Sequence, residues 1–170
     1  MKVVYALEAG GEPTIHYRDL QLYFAARPAT SRPTLHEVRE AVRNIRLSKA
    51  MLIVEGDEDS RSAGSFFKNP VLDAAERERV AASAGGTVPS YPAPGGRFKI
   101  PAAWLVENAG FHKGYTRGHV GLSRKHALAI VNRGGATAAE VIALQDEIRR
   151  AVQEKVGIPL VPEPVFVGFE

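Results

Sequence analysis

The chain has no cysteine, a single tryptophan and two methionines. Without thiols there is no disulfide framework, no thiolate nucleophile, no iron–sulfur cluster and no cysteine-ligated zinc. That absence fits the cytosol, which is the expected location. No apolar run approaches the roughly 18–20 residues that span a bilayer, and the start MKVVYALEAGGEP is too polar for a signal peptide, so no membrane partner is expected. Charge of one sign is scarce too. The 22 basic and 19 acidic side chains leave a net charge of +3, too little to argue for nucleic acid, and basic and aromatic residues do not interleave regularly. Neither G-x-G-x-x-G nor a P-loop is present. The five histidines, His16, His36, His112, His119 and His126, form no H-E-x-x-H and no close pair, so no metal site is expected.

What is there is an ordinary globular chain. Its 170 residues fit one domain, or two small ones, and 45% hydrophobic with 24% charged residues excludes disorder. Residues 2–7 (KVVYAL) read as a strand ended by Gly10-Gly11 and Pro13, with 14–17 returning as a hairpin. Residues 19–26 read as a short helix, and 27–33 (RPATSRP) as a linker. Thr34 and Glu37 have capping-box spacing before a helix with Val38, Ala41, Val42 and Ile45 on one face and Arg39, Arg43 and Arg46 on the other. Met51–Val54 reads as a buried strand or an ordered extended run, followed by an acidic turn over 55–59. Residues 73–84 read as a helix, 84–96 as a Gly/Pro loop without regular structure, and 100–108 as a short helix with Pro101 in its first turn. Ala127–Val131 is a strand candidate. Thr137, Glu140 and Gly157 bracket a helix from Ala138 to Val156. The run 160–169 carries Pro162 and Pro164, which push it to a sheet edge. Without regular βαβ alternation, the fold class is α+β.

Three features could carry chemistry. In Ser62-Ala63-Gly64-Ser65-Phe66-Phe67-Lys68-Asn69-Pro70, small residues before Ser65 allow close backbone approach to a ligand, and Lys68 and Asn69 offer an ammonium and an amide. The string is not the G-x-S-x-G elbow. On pattern alone it reads first as an Asn-Pro turn after a buried phenylalanine pair. Between Arg97 and Lys125 the basic residues are Arg97, Lys99, Lys113, Arg117, Arg124 and Lys125, against the one acid Glu107. Beside glycines such a run suits a phosphate, although pattern favours a solvated basic face. Glu163, between Pro162 and Pro164, is a stiffly mounted carboxylate that suits either an acid–base role or an edge-strand charge.

SAGSFFKNP (62–70), YP (91–92), KIPAAWLVENAGF (99–111), ALAIVNRGGATAAEV (127–141) and LVPEPVFVG (160–168) together resemble the C-terminal half of the UDP-N-acetylenolpyruvoylglucosamine reductases, the MurB family. The resemblance implies an α+β domain with a mixed sheet packed against helices. Residues 1–15 are then strands left from the preceding FAD-containing region, and 16–170 the substrate-binding domain. It also implies an NADPH- and FAD-dependent oxidoreductase of peptidoglycan synthesis. The partners implied are UDP-N-acetylglucosamine enolpyruvate and the enzyme's own FAD-binding domains.

By the same resemblance, Ser65 aligns with the serine that protonates the substrate carbon, and Glu163 with the catalytic glutamate near the enolpyruvyl carboxylate. Tyr17, in HYRDL, aligns with a tyrosine whose loop folds over the nucleotide, and Lys49 with a lysine that meets the diphosphate. Asn69 and Tyr91 align with further substrate contacts, and His126 falls where other members carry glutamine or histidine. The family's catalytic arginine lies in the FAD-containing half and has no counterpart here. This chain alone is therefore expected to bind neither FAD nor NADPH and to be inactive. The alternative is a stand-alone UDP-sugar or phosphate-binding or interaction module.

Overall fold

Three helices open on the same chemical device. In the computed structural model, which describes residues 2–26 and 32–168, Thr34, Asp73 and Thr137 each accept the backbone N–H of a glutamate three residues on. Glu37, Glu76 and Glu140 return the favour by accepting the cap's own N–H at 2.8 Å. Each box satisfies donors that a helix start leaves orphaned, and contributes about 1 kcal/mol. These boxes start α2 (Leu35–Ser48), α3 (Ala74–Ala84) and α5 (Ala138–Val156); α1 (Arg18–Ala25) and α4 (Ala102–Asn108) complete the described α-helices. Left-handed Gly157 follows the last residue of α5.

The chain divides into two compact units, Met1–Leu52 and Ile53–Glu170. In the first, α2 begins at Leu35 as the capping spacing predicts, but its apolar face buries only Ala41. Asn44 donates to the Tyr23 hydroxyl at 3.2 Å, tying α2 to α1. The hairpin expected over 2–7 and 14–17 does not form. No strand occurs there, and Leu7 is 89% exposed. Strand propensity reflects fit to a half-buried pleated surface, and these side chains have no such surface. Part of the expected 27–33 linker, residues 27–31, lies outside the described residues.

The second unit holds two three-stranded sheets. One orders β1 (Val71–Leu72), β3 (Arg97–Lys99) and β2 (Tyr91–Ala93); the other orders β4 (Thr116–Arg117), β5 (Val120–Leu122) and β6 (Ile130–Asn132). The α+β class holds, but every ladder among the described residues is antiparallel, so the expected mixed sheet is corrected. Hairpin-length links between β2 and β3 and between β4 and β5 leave no room for the crossover that a parallel pair needs. The stretch 84–96 is not all loop, because β2 lies in it. Pro92 is tolerated because β2 is an edge strand.

The core is one apolar cluster. Leu144, Ile148 and Val152 of α5 are fully buried with Val80 of α3 and Val106 of α4. Burying each such side chain contributes about 1.5–3 kcal/mol. Helix α5 packs on α3, α4 and β5. At Gly121, where β5 passes close to other backbone, a Cβ would lie 2.3 Å from the Tyr115 carbonyl oxygen. Three strand expectations shift. Met51–Val54 forms no strand, the 127–131 candidate becomes Ile130–Asn132, and 160–169 contributes a single bridge among its described residues.

Candidate functional site

The segment from Arg61 to Pro70 runs extended between two other stretches of the second unit. On one side Ser62 bridges Val131, Asn132 donates to the Arg61 carbonyl at 3.0 Å, and the Phe66 N–H donates to the Leu128 carbonyl at 2.9 Å. On the other side Phe67 bridges Pro162. There Glu163 N–H donates to the Phe66 carbonyl, and Lys68 N–H to the Val161 carbonyl, both at 2.9 Å. Both bonds fall on the residues flanking Pro162, so the missing proline N–H leaves no ladder donor unmade. Phe66 and Phe67, 4% and 2% exposed, stack edge to face and anchor the run.

Ser65 is half-buried, and its hydroxyl makes no hydrogen bond among the described residues. Gly64 before it adopts φ +83°, a left-handed conformation that suits glycine and turns the chain into the phenylalanine pair. Glu163 sits across the ladder from Phe66, one residue from Ser65, and is exposed with no ion pair among the described residues. Beside this edge an open groove of about 760 Å³ is lined by Ser62, Ala63, Phe66, Ile130 and Asn132, but not by Ser65.

His126 belongs to a loop that is tied down residue by residue. Its Nδ1 accepts the Leu128 N–H at 3.1 Å, and Leu128 is the residue that pins Phe66. Two residues earlier, Arg124 donates its backbone N–H to Asp59 at 3.0 Å and its Nε–H at 2.8 Å, and Lys125 reaches Asp57 at 3.2 Å. Asp59 is only 3% exposed. Burial pushes its carboxyl up, but donation from the Arg124 backbone and guanidinium, with the charges of Arg124 and Arg133, outweighs this and holds it below the usual range.

Tyr91 opens β2 of the first sheet, and Asn69 lies two residues before β1 of the same sheet. The Asn69 Oδ1 accepts the Ala102 N–H at 2.8 Å, capping α4, which leaves the amide N–H₂ as the side chain's outward donor. The Pro70 carbonyl accepts the Ile100 N–H at 2.9 Å, so Lys99 runs beside this turn. Lys99 is the partner of Val71 on one side and of Tyr91 on the other. The basic run between 97 and 125 is largely used internally: Arg97 donates to the Val71 carbonyl, Arg117 pairs with Glu147, Arg124 with Asp59 and Lys125 with Asp57. Lys99 and Lys113 keep no such partner among the described residues. The sequence names Lys99 only as one member of the basic run, and its pairing with Tyr91 sets it apart from the others.

Tyr17 and Lys49 belong to the first unit. Tyr17 directly precedes α1 and is 78% exposed. Lys49 follows α2, and its ammonium donates to Asp19 Oδ2 at 2.5 Å. Asp19 stands in the first turn of α1, two residues after Tyr17. Its carboxylate, like Asp59, was not singled out from the sequence. Among the described residues no cluster of three or more histidine or carboxylate side chains could hold a metal ion, and no helix is long and apolar enough to cross a membrane.

A family model described as UDP-N-acetylenolpyruvoylglucosamine reductase, C-terminal domain, matches residues 57–167. The chain belongs to the MurB family. The matched span contains Ser65, Asn69, Tyr91, His126 and Glu163 and leaves out Tyr17 and Lys49. A UDP-N-acetylenolpyruvoylglucosamine reductase of Mycobacterium sp. (strain MCS) is 47% identical over 171 residues, 99% of this chain and 48% of that protein. That of Thermobifida fusca (strain YX) is 52% identical over 140 residues, 79% of this chain and 39% of that protein. That of Nocardia farcinica (strain IFM 10152) is 45% identical over 176 residues, 99% of this chain and 46% of that protein. The chain therefore spans about half the length of the curated MurB relatives it matches.

Proposed function

We propose that this chain is the substrate-binding part of an NADPH- and FAD-dependent reductase that converts UDP-N-acetylglucosamine enolpyruvate to UDP-N-acetylmuramate in the cytoplasm. Residues 16–170 form the substrate domain, and 1–15 belong to the adjoining FAD-containing region. The seven candidate residues include no glycine cradle for a dinucleotide, so FAD and NADPH are assigned to no residue of this chain. Bound flavin would supply the hydride that adds to the terminal carbon of the enolpyruvyl double bond.

The residues of this chain act on the rest of the molecule. Ser65 gives its hydroxyl proton to the neighbouring carbon, whose electron pair, left by hydride addition, forms the new C–H bond. The reading is supported by one observation above the others: the Glu163 N–H bonds the carbonyl of the residue after Ser65. That ladder brings the backbones that carry the hydroxyl and the carboxylate onto adjoining stretches of chain, although the two residues are far apart in sequence. Glu163 lies near the enolpyruvyl carboxylate and helps stabilise the intermediate. Asn69, Tyr91 and His126 contact substrate, with Lys99 paired to Tyr91 as a cation; Tyr17 and Lys49 take the nucleotide and its diphosphate.

Calorimetry with UDP-N-acetylglucosamine tests binding, and absence of heat at millimolar ligand rejects it. In the complete enzyme Ser65→Ala lowers turnover by about 10²–10⁴-fold with little change in substrate affinity. An absorbance band at about 450 nm in this chain, purified alone, would instead locate flavin binding within it.

A further inference from the structure

We infer that Asp19 is a built-in competitor of the diphosphate for Lys49, and so sets how tightly the site takes an anionic ligand. The inference rests on the proposed role of Lys49. Lys49 leaves α2 at a closed helix end: its own N–H returns to the Arg46 carbonyl at 3.2 Å, Ala50 N–H to Leu47 at 3.1 Å, and Met51 N–H to Arg46 at 2.8 Å. Ala50 itself is in the left-handed region at φ +54° and 2% exposed. The stem of Lys49 therefore starts from fixed backbone. Its ammonium is nonetheless committed to Asp19 Oδ2 at 2.5 Å, with both side chains a little under half exposed.

The consequence is electrostatic. A carboxylate offers only acceptors, as does a phosphoryl group, so both compete for the same ammonium protons. With Asp19 in contact the pair carries no net charge. An arriving diphosphate then meets hydrogen-bond donors without net attraction, and a negative neighbour that repels it. Asp19 also stands two residues from Tyr17 on the first turn of α1. When a phosphate displaces the carboxylate, the bond between the ends of α1 and α2 is released. Exposed pairs of this kind hold weakly, so the competition is a reversible tuning of affinity rather than a block.

Titration of uridine diphosphate into the 170-residue chain, with uridine as the probe lacking phosphate, tests this. Asp19→Asn keeps the size of the side chain and removes its charge; Asp19→Ser is the second variant should the first not fold. Either variant is expected to bind uridine diphosphate about two- to fivefold tighter than the parent, with uridine unchanged. The gain should vanish when Lys49→Gln is added. If the parent binds in a Lys49-dependent manner and neither variant is tighter, Asp19 is no competitor and the inference alone falls. If parent and variants all ignore uridine diphosphate at millimolar concentration, the Lys49 reading falls and this inference with it. Binding that emerges only in the Asp19 variants supports it.

Discussion

The carbonyl of Phe66 accepts the backbone N–H of Glu163 at 2.9 Å while its own N–H donates to the carbonyl of Leu128 at 2.9 Å. One residue thus joins three stretches of chain, and the residue before it is Ser65. Since the Phe66 ring is 4% exposed, Phe66→Ala is expected to cost about 3–5 kcal/mol of stability. Ser65→Ala, which removes a half-buried hydroxyl with no partner among the described residues, should stay within about 0.5 kcal/mol. Urea unfolding of the two variants checks the contrast.

Gly121→Ala should be among the most damaging single-atom changes. Its Cβ would sit 2.3 Å from the Tyr115 carbonyl oxygen and 2.8 Å from the Arg133 Nε. The side chain could shift but the backbone oxygen cannot move without disturbing the β4–β5 hairpin. A loss of about 2–4 kcal/mol is expected from overpacking, read as a fall in the urea midpoint with an unchanged slope.

Asn69 has two jobs that different substitutions separate. Asn69→Ala removes the acceptor that caps α4 and should cost about 1 kcal/mol. Asn69→Asp keeps an acceptor for the Ala102 N–H, so stability holds, but it replaces the outward donor with a negative charge. Calorimetry with uridine diphosphate should then show weaker binding for Asn69→Asp than for Asn69→Ala.

Acid should loosen the second unit in a defined window. The Glu140 carboxyl is held at about 2, chiefly by the Thr137 N–H and then its hydroxyl, with a smaller contribution from His119 and against the upward push of burial. Asp59 is also lowered from 3.8. A depressed carboxyl stabilises the fold fully above its unfolded value and loses that contribution as pH falls through its folded value. Stability should therefore be level down to about pH 4.5 and decline from there toward pH 2. Glu140→Gln is expected to shallow that decline, as followed by urea midpoints at successive pH values.

The parts of the fold written in local sequence were legible. Thr34 with Glu37, and Thr137 with Glu140 and Gly157, mark helix ends because capping is settled within four residues. Tyr91-Pro92-Ala93 was hidden by its proline and glycine neighbours, since only its place at a sheet edge makes a strand of it. KVVYAL failed in the opposite sense, having the propensity without a surface to cover. For the site, local pattern singled out Ser65, Asn69 and Glu163 and family resemblance gave the other candidates and every role, while their mutual placement needed pairings across the chain. No pattern announces that Glu163 meets Phe66. Nor does one announce that Arg97, Arg117, Arg124 and Lys125 are engaged at home while Lys99 is not, or that Asp19 holds Lys49.

The three-way junction at Phe66 also imposes an order on assembly. Its neighbours Leu128 and Glu163 are synthesised well after it, so the Ser65 edge cannot close before residue 163 has been made. Until that stretch arrives, the edge beside the two adjacent phenylalanines lacks its second partner strand, which exposes the nascent polypeptide to self-association.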